Sequence, residues 1–188
     1  MRPQKIDDTA LLIRLMDVFR SKGYEGSSLN DLAASAGLKK ASLYHRFPGG
    51  KEEIAAAVLA YTTTWGEAHV GAILRDTTIP ARQRLENVLE NIDALYVQGT
   101  KGCILKALSM DTGIPSLGNL IEITMNTWVE GFSQLAEDIG FTPTEATQKA
   151  VQTLINIQGA LIITKGLNDT IIFKNTLQNI KNLYYPTT

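Results

Sequence analysis

Apolar residues recur along this chain at three- and four-residue intervals, and glycine or proline interrupts each run, which is the pattern of amphipathic helices. Leu11, Leu12, Leu15, Met16 and Phe19 predict a helix from about Asp7 to Lys22, ended by Gly23. Leu29, Leu32, Ala33 and Ala36 predict a shorter one ended by Gly37, and Leu43 with Phe47 marks a third. After Pro48-Gly49-Gly50 a long helix begins near Lys51, with Ile54, Val58, Tyr61, Trp65 and His69 on one face. Pro80 opens the next, whose stripe of Leu85, Val88, Leu89, Ile92, Leu95 and Tyr96 stops at Gly99. A short helix over 102–112 precedes a long one from Pro115 that bears Leu117, Ile121, Met125, Trp128, Phe132 and Leu135. Two terminal helices run from Pro143 to about Lys165 and from Thr170 to Tyr184. No stretch alternates as a strand would, so the prediction is an all-α fold of nine helices.

Residues 27–51, SSLNDLAASAGLKKASLYHRFPGGK, carry the most specific signal. Ser28 followed three residues later by Asp31 is a capping box, in which the serine oxygen takes an orphan amide and the carboxylate complements the positive helix end. Gly37 ends that helix, because glycine enters positive φ cheaply. Ala33, Gly37 and Leu43 fit two closely crossing helices, with a small residue at the contact, glycine in the turn and a leucine plugging one into the other. On the second helix Ala41, Ser42, Tyr44 and His45 lie away from Leu43, with Lys39 and Lys40 at its start. That outer face has no large aliphatic side chain and suits a DNA major groove, where polar tips meet base edges and cations meet phosphates. A solvated helix of an unrelated bundle would show a similar polar face. The candidate DNA-binding residues are Ser28, Lys39, Lys40, Ala41, Ser42, Tyr44, His45 and Lys51, the last through a phosphate beside the first amides of the long helix. Gly49-Gly50-Lys51 lacks the spacing and the preceding strand of a nucleotide-binding loop.

Gly23-Tyr24, Ser28-Leu29, Leu32-Ala33, Ala36-Gly37-Leu38, Ser42-Leu43-Tyr44-His45-Arg46-Phe47 and Lys51 resemble, in order and spacing, the N-terminal signature of the tetracycline-repressor (TetR) family of transcriptional regulators. The resemblance covers roughly the first third of the chain. Phe47-Pro48-Gly49-Gly50-Lys51-Glu52 and Gly102-Cys103-Ile104-Leu105 are similar to the LmrA/YxaF-like branch. The resemblance implies a three-helix DNA-binding head, residues 1–50, on a six-helix effector-binding and dimerisation body, residues 51–188. It also implies a homodimer joined by a four-helix bundle, in which ligand in the body moves the long fourth helix and changes the separation of the heads.

Charge sharpens this picture. Residues 1–51 hold nine lysines and arginines against five acids, so the head carries +4 and the remainder −5 within a net charge of −1. A basic head on an acidic body points to one surface meeting nucleic acid. The single Cys103 excludes an intramolecular disulfide, and two histidines without nearby metal-type partners argue against a metal centre, so no cofactor is expected. Arg14 and Asp17 break the first apolar stretch, and no run approaches the roughly 18 residues of a membrane helix, so a cytoplasmic protein without a membrane partner is expected.

Two further sets complete the candidates. The terminal helices carry more apolar surface than one face of each can place internally, which suggests a subunit interface through Leu154, Gly159, Leu161, Ile162, Phe173, Leu177 and Ile180 rather than a fully internal sandwich. Tyr61, Trp65, Tyr96, Cys103, Met110, Met125, Trp128 and Phe132 fit either the lining of an apolar effector pocket or ordinary core, and Cys103 reads as a structural thiol. The expected function is a ligand-responsive regulator, a repressor and not an enzyme, that binds a palindromic operator as a homodimer and is released by a small hydrophobic or aromatic effector. Two other classes stay open: an all-helical small-molecule-binding protein or enzyme with a structural helix-turn-helix, and a DNA-binding protein with a filled body and no effector.

Overall fold

The computed structural model describes residues 7–109 and 115–185, which form nine helices and no strand, as the apolar pattern predicts. They are α1 (Asp8–Lys22), α2 (Leu29–Ala36), α3 (Lys40–Arg46), α4, α5 (Ala81–Leu95), α6 (Ile104–Ser109), α7 (Pro115–Ile139), α8 (Pro143–Leu167) and α9 (Ile171–Tyr184). Helix α4 comprises three consecutive stretches: Gly50–Gly66, a π-helical turn Glu67–Gly71, and Ala72–Arg75. Of the short helix expected over 102–112, the end beyond Ser109 lies outside the described residues. Local chemistry sets the boundaries. Asp7 caps α1 by accepting from the Ala10 N–H, and Thr142 with Glu145 forms a second capping box at the start of α8.

The described residues fall into two compact units, one within 1–62 and 104–121, the other within 63–103 and 122–188. The first unit buries Leu11, Leu15 and Phe19 of α1, Leu32 of α2, Leu43 of α3, Ile54 and Leu59 of α4, and Leu108 of α6. The second buries Leu85 and Ile92 of α5, Phe132 and Leu135 of α7, Ile157 of α8, and Phe173, Ile180 and Tyr184 of α9. Two of its buried polar side chains are paired across helices. The Tyr184 hydroxyl lies 3.0 Å from Thr153 Oγ1, and burial pushes its pKa up. Arg84, 3% exposed, donates to the Leu74 carbonyl at 2.6 Å and to Asp138 Oδ2 at 2.7 Å.

The chain leaves α5 through a left-handed turn, with φ of 47° at Val97, 57° at Gln98 and 85° at Gly99. A Cβ at Gly99 would stand 2.6 Å from the Phe173 Cβ. Gly99→Ala is therefore expected to destabilise by about 2–3 kcal/mol, left-handed strain adding to overpacking. Urea unfolding measures this, and a change below about 0.5 kcal/mol would show that the turn relaxes freely.

Candidate nucleic-acid interface

The capping box forms as the Ser28/Asp31 spacing predicts. The Asp31 N–H donates to Ser28 Oγ at 3.1 Å, and Asp31 Oδ2 accepts from the Ser28 N–H at 3.0 Å and from its hydroxyl at 2.7 Å. Lys22 adds a 2.6 Å ion pair to the other carboxylate oxygen. These bonds, Lys22's foremost and then Ser28's, hold the Asp31 carboxyl far below the usual carboxylate range. At the other end Gly37 is left-handed, φ 68° and ψ 26°, and its N–H reaches the Ala33 and Ala34 carbonyls. Only Gly37, Leu38 and Lys39 separate α2 from α3.

Leu43 decides which way α3 faces. It packs inward with Leu32, Ala33 and Ala36, the only residue of α3 to be buried. Lys40, Ala41, Ser42, Tyr44 and His45 are consequently all exposed, as is Lys39 at the N-cap, which offers no side-chain cap of its own. Tyr44 is 42% exposed, a large exposure for an aromatic, and Lys40 Nζ lies 6.0 Å from its ring centre. Arg46 is held by Asp8 at 3.1 Å, whereas Lys39 and Lys40 have no ion pair among the described residues. The Ser28 hydroxyl, exposed but committed to Asp31, serves the helix start.

Lys51 is placed differently from the phosphate-facing position expected of it. Its Nζ donates to the Tyr24 carbonyl at 3.0 Å, lies 4.3 Å from the centre of the Tyr24 ring and stands 3.8 Å from Glu25 Oε2. The Gly49 N–H, which could have met a phosphate beside it, donates to Glu53 Oε2 at 2.7 Å. Lys51 is thus a strut that ties the start of α4 to the turn before α2, and a carboxylate of α4 itself fills the anion position. Around it, burial and then the charges of Glu52 and Glu25 push the Tyr24 hydroxyl up. Sequence reasoning missed Tyr24 and Glu25 because they meet Lys51 from far along the chain, Tyr24 across 27 positions.

The other candidate sets separate. Tyr96 packs edge-on to Phe173 with centres 5.9 Å apart, and Phe132 lies 6.1 Å from Tyr184, so both serve the core of the second unit. Cys103 is a buried free thiol, Met125 is exposed and Tyr61 is half-buried. Trp65 stacks on His69 at 4.6 Å, and Trp128 is buried with its indole N–H unpartnered. Met110 lies outside the described residues. Of the interface set, Leu161, Phe173, Leu177 and Ile180 are buried within their own protomer, because α9 packs along α8. Leu154 is half-buried, while Gly159 and Ile162 are exposed. The outward apolar stripe of α8 is instead Val151, Ile155 and Ile162, exposed by 42, 57 and 52%, with Gly159 and Gly166 beside it facing open space. At about 100° per residue it lies opposite the buried stripe of Ala150, Thr153, Ile157, Ala160 and Thr164.

Residues 14–58 match the family model of bacterial regulatory proteins, tetR family. The HTH-type transcriptional regulator YxaF of Bacillus subtilis (strain 168) is 27% identical over 153 residues, 78% of each chain. A TetR transcriptional regulator from Legionella pneumophila superposes with a TM-score of 0.83 at 21% identity, over 95% of this chain and 98% of the other. The TetR-family regulator CifR, as a cysteine mutant complexed with a 26 bp operator duplex, superposes with a TM-score of 0.71 at 22% identity over the whole of both chains. With α2, the glycine turn and α3 inside the matched segment, residues 14–58 carry the N-terminal domain of bacterial regulatory proteins of the tetR family, and the described chain has the fold of solved TetR transcriptional regulators.

Proposed function

We propose that residues 1–50 bind a near-palindromic operator duplex, and that residues 51–188 join two copies of the chain and take a small hydrophobic or aromatic effector whose binding releases the DNA. The observation that carries the DNA reading is the outward face of α3: Leu43 inward, and Ser42, Tyr44 and His45 outward with two lysines free of ion pairs. Ser42, Tyr44 and His45 read base edges, Lys39 and Lys40 meet phosphates, and the small Ala41 lets the helix approach closely. CifR, solved on its operator, supports the same use of the fold. The apolar outer stripe of α8 supports the dimer. Repression without catalysis, in the cytoplasm where an operator is found, follows from this reading, and no helix among the described residues is long and apolar enough to cross a membrane.

The test uses a duplex that the wild-type protein selects from a random-sequence pool. Tyr44→Ala should weaken binding by about tenfold or more, the loss of roughly 1–3 kcal/mol per base contact, and leave the thermal midpoint in place. Lys40→Ala should flatten the slope of log K against log salt by about 1.8 for two copies, whereas Lys51→Ala should lower thermal stability and leave that slope alone. A Tyr44→Ala protein that melts early yet binds normally would show that α3 faces inward and would end the reading.

A further inference from the structure

Helix α4 changes its winding at Glu67–Gly71, where the Ala72 N–H bonds to the Glu67 carbonyl five residues back. A π turn places one extra residue in an α-helix and is rare. This one is clasped from several sides. Glu67 and Arg75 form an ion pair along α4 that passes over Gly71, where a Cβ would stand 2.7 Å from Glu67 Oε2 and 3.0 Å from Arg75 Nη1. His69, inside the turn, stacks on Trp65 with its Nδ1 3.1 Å from the Trp65 carbonyl. Asn91 of α5 donates to the His69 carbonyl at 2.9 Å. Helix α7 crosses here on glycines: a Cβ at Gly66 would stand 2.8 Å from Trp128 Nε1, and one at Gly131 would stand 3.4 Å from the Gly71 Cα. Against this crossing the Trp128 N–H is buried with no acceptor. A buried donor left unpaired is unfavourable, so the observed winding leaves one polar group at the crossing unsatisfied.

We propose that the π turn is a two-position register element, held in its present winding by the Glu67–Arg75, His69–Trp65 and Asn91 clasps, and that a change of its register changes operator affinity. The second clause rests on the operator reading above. Rewinding the turn as α-helix moves the residues on one side of it by about 100° and 1.5 Å relative to the other, which alters what α4 presents to Trp128 and Gly131. Two windings close in energy, each favoured by different partners, are what a population shift requires.

The chain has two tryptophans, and Trp65 and Trp128 both adjoin the turn, so native fluorescence reports on it directly. Arg75→Gln opens the ion pair, Gly71→Ala drives a Cβ into it, and deletion of Ala68 removes the extra residue so that α4 becomes regular while its flanks keep their facing. Tryptophan emission, helicity, thermal midpoint and affinity for the wild-type-selected duplex are measured for each. Both substitutions should shift emission and change operator affinity by about tenfold or more with helicity intact. The deletion variant should bind as wild type does and become insensitive to a further Arg75→Gln change. Wild-type emission should also drift with temperature well before helicity is lost, and the deletion variant's should not, a comparison that stands even if the substituted proteins fail to fold. Shifted emission with affinity within about twofold of wild type, or a deletion variant that drifts as wild type does, overturns the inference alone. A wild-type protein that selects no duplex overturns the operator reading first and the second clause of this inference with it.

Discussion

Glutamate at both Ile155 and Ile162 should turn the protein into monomers and weaken its binding to a full operator by about 10²–10⁴-fold, with the fold of each protomer unchanged. These side chains are 57 and 52% exposed on the face of α8 that its own core does not use. In the proposed isologous contact each outward residue meets the same patch on its mate, so every added carboxylate is brought close to another. Affinity falls because two heads on one duplex bind as a linked pair, and a lone head keeps only its half-site affinity. Sedimentation gives the mass, and titration of full and half operators gives the two affinities. Leu161→Glu and Leu177→Glu serve as contrasts, since both put a charge into the protomer's own core and should unfold it. A double-glutamate protein that still sediments as a dimer would rule out this face of α8 as the seam.

Asp138→Ala should destabilise the protein by about 1–3 kcal/mol, because it takes the charged acceptor from the buried Arg84 guanidinium while Asp138 itself lies at the surface. Arg84 Nη1 would keep the Leu74 carbonyl but lose the Asp138 carboxylate, and Arg84 Nε is already without a partner. The same pair sets a pH dependence. Burial alone would raise the Asp138 pKa, but the bonds from Arg84 and Gln134 outweigh it and the net shift is downward. The folded state therefore binds this proton less readily than the unfolded chain does. Its contribution is present above the unfolded carboxylate value, near about 3.9, and disappears as pH falls through the lower folded value. Urea midpoints across the acid range should fall less steeply in Asp138→Asn than in wild type, and parallel curves would show that the pair carries no such linkage.

Most of the α2–α3 pair was legible because its rules are local. A serine and an aspartate three residues apart, a glycine where φ turns positive and one inward leucine suffice to place α2, the turn and α3. What the sequence concealed depends on distant partners or on fine rotation. Lys51 reads as a free cation at a helix start until Tyr24 and Glu25 are brought beside it. Leu161 and Ile162 are neighbours in sequence, yet one faces the core and the other faces outward, so an excess of apolar residues shows that a second surface exists without showing which residues form it. The stripe Ile54, Val58, Tyr61, Trp65 and His69 reads as one unbroken helix face, although only its first two members are fully buried. Nothing at Glu67–Gly71 announces a wider turn, because its clasps come from Arg75 and from Asn91 on another helix.

The two-faced build of α8 also bears on how such a protein can diverge. Its inward stripe is shared with the protomer's own packing, so change there is judged first by whether the chain folds. Val151, Ile155 and Ile162 contribute little to that packing, and side chains added at Gly159 or Gly166 would meet no neighbour in the protomer. After a gene duplication, the two copies can therefore drift apart on this face alone. With the proposed dimer formed through this face, each can stop pairing with its sibling while both remain folded, and the choice of mate becomes heritable separately from stability.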